Sequence, residues 1–158
     1  KKIKLIKYKF FDELLNLVKR EVSSFKYDAV IQSAAVSDYR PVKTKRGKIK
    51  SGQKNLIIKL EPTIKIVDLI NKINSSVFLV KFKLEANISE KKLIEIAARS
   101  MKKSKADLIV ANDFKSIIQG SEKHRAFIID KENNIKSIIG KKRIAKNLLE
   151  IMASKINQ

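Results

Sequence analysis

The chain has 158 residues and no cysteine, and 36 Lys and Arg against 16 Asp and Glu give a formal charge of +20. The missing cysteines exclude a disulfide framework and thiolate-bound metal, and a hydrophobic content of 44% argues against wholesale disorder. No apolar run approaches the length of a membrane span and no signal-peptide pattern opens the chain, so a cytoplasmic protein without membrane contact is expected.

The length suits a single domain over residues 1–158. It opens on Lys1-Lys2-Ile3 without methionine, as a piece of a longer protein would. The charge invites a nucleic-acid reading, because clustered Lys and Arg release counterions from phosphate backbones. Here, however, lysine occurs in every segment, with no aromatic-rich RNA-recognition signature and no helix-turn-helix spacing. A biased composition explains such scatter better, and a small anionic substrate would also welcome the field.

Taken in order, Ile3-Lys4-Leu5-Ile6 reads as a short strand. Asp12 is a candidate cap for a helix that places Leu14, Leu15, Val18 and Val22 on one face. Ala29 to Ser33 is a buried-type strand. Val42 to Lys54 holds Gly47 and Gly52 with few apolar residues and reads as a loop or loose hairpin. Asn55 to Glu61 alternates like a strand, and Thr63 is placed to cap a helix carrying Ile66, Ile70 and Ile73.

Val77 to Phe82 is the next strand, and Ser89 the cap of a helix with Leu93, Ile96, Ala97 and Met101 at helical spacing. Ala106 to Ala111 is a further apolar strand. Ala126 to Asp130 and Ile135 to Ile139 flank the turn Lys131-Glu132-Asn133-Asn134, a hairpin. A last helix holds Ile144, Leu148, Ile151 and Met152. Strands alternating with helices predict an α/β fold, a mostly parallel Rossmann-like sheet flanked by helices, with a late antiparallel hairpin.

Ligands of such sheets gather beyond the carboxyl ends of the strands. Three of these ends are suggestively polar: Ala34 to Asp38, Lys81 to Glu85, and Asn112-Asp113. Their convergence is the site expected from the residues alone. Small side chains at Ser33, Ala34 and Ala35 would let a ligand approach the backbone, although on the residues alone ordinary packing of a strand end explains them better.

At these residues a family resemblance emerges. Ala34-Ala35-Val36-Ser37-Asp38-Tyr39-Arg40-Pro41 resembles the AAV(A/S)DYRP signature of phosphopantothenate–cysteine ligase. Lys48-Ile49-Lys50 is similar to its KIK loop, and Leu60-Glu61-Pro62-Thr63 with Lys65-Ile66 to its LxxTP(D/K)I segment. Val80-Lys81-Phe82-Lys83-Leu84-Glu85 resembles VGFxxE, and Asp107 to Asp113 resembles DxIVAND. The family's glycine-rich first strand–helix unit and its Asn/Ser/Gly segment have no counterpart in these residues, so the chain resembles the C-terminal two-thirds of the ligase domain. Where the family often has two phosphate-facing lysines, this chain has Ser100 and Ser104, with Lys102, Lys103 and Lys105 as candidate substitutes.

The resemblance implies a reaction in coenzyme A biosynthesis. A nucleoside triphosphate, CTP or ATP with Mg2+, activates the carboxylate of 4′-phosphopantothenate, and the amine of cysteine then displaces the nucleotide. It implies Lys48 and Asp38 as catalytic residues, and Ala34, Ala35 and Asn112 at the substrate. Ser33, Asp38, Lys48, Thr63, Phe82 and Lys103 fall to the nucleotide. No protein metal site is assigned; Mg2+ would arrive on the nucleotide, with Asp38 as a candidate ligand.

Each role has a plainer counterpart. Asp38 suits a turn, Lys48 is one exposed lysine among many, Thr63 suits a helix cap, and Phe82 suits the core. Arg40 before Pro41 reads as a structural ion-pair partner. Glu85 reads as a solvated strand-end charge, and lone His124 as a surface or loop residue. The resemblance also implies a homodimer. The rival is a non-catalytic basic α/β module binding nucleic acid; it explains the charge but not the ordered motifs.

Overall fold

The computed structural model describes residues 3–43, 47–49, 51–52, 54–115 and 122–156. Helix α1 (Phe11–Val22) buries Leu14, Leu15 and Val22, the face that its apolar spacing predicts. Its cap differs from expectation: the Glu13 carboxylate accepts the backbone N–H of Lys9 (2.7 Å) and Phe10 (3.3 Å). Asp12 lies inside the first turn, where its charge complements the helix dipole.

Strand β1 (Ala29–Gln32) leads into the small-residue segment, and short strands β2 (Tyr39–Pro41) and β3 (Leu60–Pro62) pair antiparallel as a separate ribbon. Arg40 fastens the ribbon to α1, with Nε 2.8 Å from Glu61 and Nη1 3.3 Å from Asp12. That is the structural role expected of it. Helix α2 (Ile66–Ile73) buries Ile66 and Ile70; its N-cap is Lys65, not Thr63.

Strand β4 (Phe78–Glu85), helix α3 (Glu90–Ser104) and strand β5 (Leu108–Asp113) form a βαβ unit. Ser89 caps α3 as predicted, its Oγ accepting the Lys92 N–H at 3.3 Å. Strands β6 (Arg125–Asp130) and β7 (Ile135–Ile139) make the predicted hairpin, and helix α4 (Lys141–Ile156) closes the chain.

The main sheet has the order β1-β4-β5-β6-β7. Its first three strands are parallel and its last two antiparallel. Alternation along each strand sends side chains to opposite layers. Leu79, Ile109 and Ile129 pack under α1, α2 and α3, while Val80, Val110 and Ile128 pack against Ile144, Leu148 and Met152 of α4. The α/β class with its mixed sheet is the one read from the sequence.

One expected strand is absent and another is shortened. Residues 3–6 have no regular structure, with Ile3 96% exposed, and of the strand expected over Asn55 to Glu61 only Leu60 and Glu61 belong to one, β3. An extended apolar segment becomes a strand only beside a partner ladder, and β2 is too short to offer one to residues 55–58. The ribbon reaches one step further, through the Val42 N–H to the Lys59 carbonyl (3.0 Å). Gly47 and Gly52, with φ of +98° and +89°, sit in the connection between β2 and β3.

Candidate functional site

Because β1, β4 and β5 run parallel, their carboxyl ends emerge on one side of the sheet. The antiparallel β6 starts on that side and β7 ends there, opposite Arg125. Gly140 then turns the chain into α4, its N–H donated to the His124 carbonyl (2.8 Å). A cleft of about 680 Å³ opens among these ends, reaching from residues 32–38 across the β4 tip to Asn112 and Lys141.

The loop after β1 is pinned by Thr63. Its Oγ1 donates to the Ser37 carbonyl (2.6 Å), and its N–H to the Asp38 carbonyl (2.9 Å). These bonds hold the small residues Ser33 to Ala35 along the cleft wall. Asp38 is exposed, and its carboxylate lies 3.8 Å from Lys65 Nζ.

Ser33, Ala34, Ala35, Asp38, Thr63, Phe82 and Asn112 all line this cleft. Lys48 and Lys103 do not. Lys48 is exposed in the loop between β2 and β3, and Lys103 is exposed in the last turn of α3. Glu85, expected as a solvated strand-end charge, is half-buried at the β4 tip and pairs with Lys83 (2.8 Å).

His124 lies in the loop before β6, as one of its two readings had it, but not at the surface. It is only 6% exposed, and its Nε2–H donates to Asn112 Oδ1 at 3.0 Å, while Asn112 Nδ2 donates to the Val110 carbonyl at 3.3 Å. The signal was the register: Asn112 faces Ala126, so His124, two residues earlier, falls on the same face as that pair.

Four lysines line the cleft, Lys65, Lys81, Lys83 and Lys141; the sequence pointed to the Lys81–Glu85 strand end and to Lys65 within a motif but gave none of the four a role of its own, and it missed Lys141 altogether. Lys81 is buried and donates to Ser100 and Ser104 of α3. Burial pushes its ammonium below the ordinary lysine value; Asp68 opposes that, and the charges of Lys65, Lys83 and Lys103 add to it. Against these cations Asp38 is the sole carboxylate on the cleft wall among the described residues. No group of three metal-ligating side chains occurs among them, so the wall does not fit a resident divalent cation. Its chemistry is that of an anion site beside a small-residue wall.

The profile of the DNA/pantothenate metabolism flavoprotein C-terminal domain matches residues 1–156. The chain belongs to that family. It is the domain to which the ordered motifs pointed. Within the family, the coenzyme A biosynthesis bifunctional protein CoaBC of Thermococcus kodakarensis is 40% identical over 121 residues, covering 77% of this chain and 29% of that protein. The chain thus spans about three tenths of the length of the curated relatives it matches. The DNA/pantothenate metabolism flavoprotein of Streptococcus pneumoniae superposes with a TM-score of 0.82 at 30% identity, over 94% of this chain and 71% of that one. A Cab2 variant in complex with phosphopantothenate-cysteine shares the fold at 16% identity and a TM-score of 0.75, over 96% of this chain and 52% of its own.

Proposed function

We propose that this domain joins 4′-phosphopantothenate to cysteine at the expense of a nucleoside triphosphate, CTP or ATP, in coenzyme A biosynthesis. One observation carries the reading: in a member of this family, the small-residue wall, Asn112 and four lysines line a single cleft at the strand tips. Three curated relatives are bifunctional proteins of coenzyme A biosynthesis, and a fold relative is held in complex with phosphopantothenate-cysteine.

A carboxylate is a poor acceptor for an amine, so it must first gain a leaving group. One carboxylate oxygen of 4′-phosphopantothenate attacks the α-phosphorus of the nucleotide, and pyrophosphate departs. The amine of cysteine then attacks the acyl carbon, and nucleoside monophosphate leaves with that oxygen while the amine loses a proton. The protein's task is to hold several negative charges near one another without water between them.

Ala34 and Ala35 suit the carboxylate, because small side chains let it reach backbone N–H groups. The Asn112 amide, oriented by His124 and the Val110 carbonyl, suits a polar contact to substrate. Phe82 offers a face for the base. Ser33, Thr63 and Asp38 border the nucleotide. Lys48 would reach the departing pyrophosphate from its loop, with Lys103 outside the cleft as a further cation. Magnesium enters as part of the nucleotide substrate.

A homodimer is the proposed working state. Leu56, Ile57, Ile58 and Leu60, exposed by 56, 90, 57 and 52%, form an apolar stretch at β3, beside Tyr39 of β2.

The test is isotopic. With both carboxylate oxygens of 4′-phosphopantothenate labelled with oxygen-18, turnover should place label in the nucleoside monophosphate and leave pyrophosphate unlabelled. Label in orthophosphate, or none in any nucleotide product, would rule out the acyl-nucleotide route.

A further inference from the structure

Lys81 stands in the middle of β4, opposite Gln32 of β1 and Ile109 of β5, and is 7% exposed. Its neighbours Val80 and Phe82 face the α4 layer, so Lys81 points the other way, at α3. There its Nζ donates to the Ser100 carbonyl (3.2 Å), Ser100 Oγ (3.0 Å) and Ser104 Oγ (3.1 Å). Ser104 donates its own proton back to the carbonyls of Ser100 and Met101, which leaves its lone pairs for the ammonium.

Every acceptor is neutral. Among the described residues no carboxylate reaches ion-pair distance of Nζ; Asp68 acts on it only at longer range, against Lys65, Lys83 and Lys103. Burying an ammonium without an anion is expensive, and an aliphatic side chain would serve packing better. Both Lys81 and Ser100 line the cleft, so the missing anion has a route of entry. A positioned cation with room beside it is a phosphate site in waiting.

We propose that Lys81 is a phosphate-binding residue of the cleft, positioned by Ser100 and Ser104. The assignment of that phosphate to the nucleotide rests on the ligase reading; the anion site itself does not.

The experiment is calorimetric titration of the protein, expressed from its full reading frame, with pyrophosphate and separately with 4′-phosphopantothenate. Lys81→Met should weaken one of them about tenfold or more while the thermal midpoint holds. Loss confined to pyrophosphate assigns the nucleotide phosphates, and loss confined to 4′-phosphopantothenate assigns the substrate's. The double variant Lys81→Met, Ser100→Lys, which returns an ammonium to the same space from α3, should recover most of the lost affinity, which a merely structural lysine would not allow. Should Lys81→Met fail to fold, Ser100→Ala with Ser104→Ala, which keeps the lysine but frees it, should weaken the same anion severalfold.

Equal affinity of wild type and a folded variant for both anions overturns the proposal, as does absence of anion binding in the wild type. The ligase reading fails separately, through the oxygen-18 distribution. Label transfer undiminished in Lys81→Met would keep the reaction and remove this residue from it.

Discussion

Lys81 carries a linkage that can be read without ligand. Burial holds its folded-state pKa below the ordinary value of 10.5. Below that lowered pKa the lysine is charged in both folded and unfolded chains, and the full desolvation penalty opposes folding. Between the lowered pKa and 10.5 the unfolded chain binds more protons, so stability from this residue rises with pH. Relative to Lys81→Met, the wild type should therefore gain stability from pH 7 towards pH 10 in urea denaturation. Parallel pH profiles for the two proteins would contradict the burial argument.

A second residue-scale prediction concerns Asn112. Asn112→Ala removes the acceptor of the buried His124 Nε2–H and should cost about 1–3 kcal/mol in denaturant titration. Asn112 was legible as a strand-end amide, and Ala34, Ala35 and Asp38 as a motif. Lys81 was legible as part of a polar strand end but not its contacts with Ser100 and Ser104, because an apolar run says nothing of which helix residues its interruption will meet. His124 looked isolated for the same reason: its partner is twelve residues away and adjacent only through the β5–β6 register.

At the scale of elements, the central βαβ unit followed directly from its letters. Leu79 and Val80, like Ile109 and Val110, are fully buried because each strand lies between two helix layers, and such strands read as continuous apolar runs. Ile109→Ala should cost about 2–5 kcal/mol by chemical denaturation. Ser89→Ala, which strips the one cap that sequence identified correctly, should cost about 1 kcal/mol. The other caps were misplaced because Asp and Thr have further uses. Asp12 meets Arg40 across α1 and the ribbon, and Thr63 fastens the cleft loop. Periodicity likewise promised strands at residues 3–6 and 55–61, of which only Leu60 and Glu61 found a partner, because a strand is a property of a pair and one sequence shows only one member.

For the molecule as a whole, the charge of +20 is spread over the chain, yet the cleft concentrates four lysines beside one paired carboxylate. Generic oligonucleotides should therefore bind weakly, while nucleoside triphosphate binding should persist at salt concentrations that abolish them. The reverse order in salt titrations would favour the nucleic-acid rival. The exposed apolar stretch gives a further expectation: Ile57→Glu should shift the protein from dimer to monomer in light scattering, and an unchanged mass would exclude this surface from the interface. No helix among the described residues is long and apolar enough to cross a membrane. The cleft's position was legible because parallel strands bring their ends together. A positive charge there was expected too, but not which lysines supply it, since lysines distributed along the sequence become a cluster only after folding.

The central claim is that the cleft beside Ala35 holds 4′-phosphopantothenate for activation. Its most direct measurement is kcat/KM for 4′-phosphopantothenate in Ala35→Leu, where the larger side chain intrudes on that wall. A fall of about 100-fold or more, with the thermal midpoint kept within about 2 °C of wild type, is the predicted result. An unchanged kcat/KM in the folded variant would contradict it.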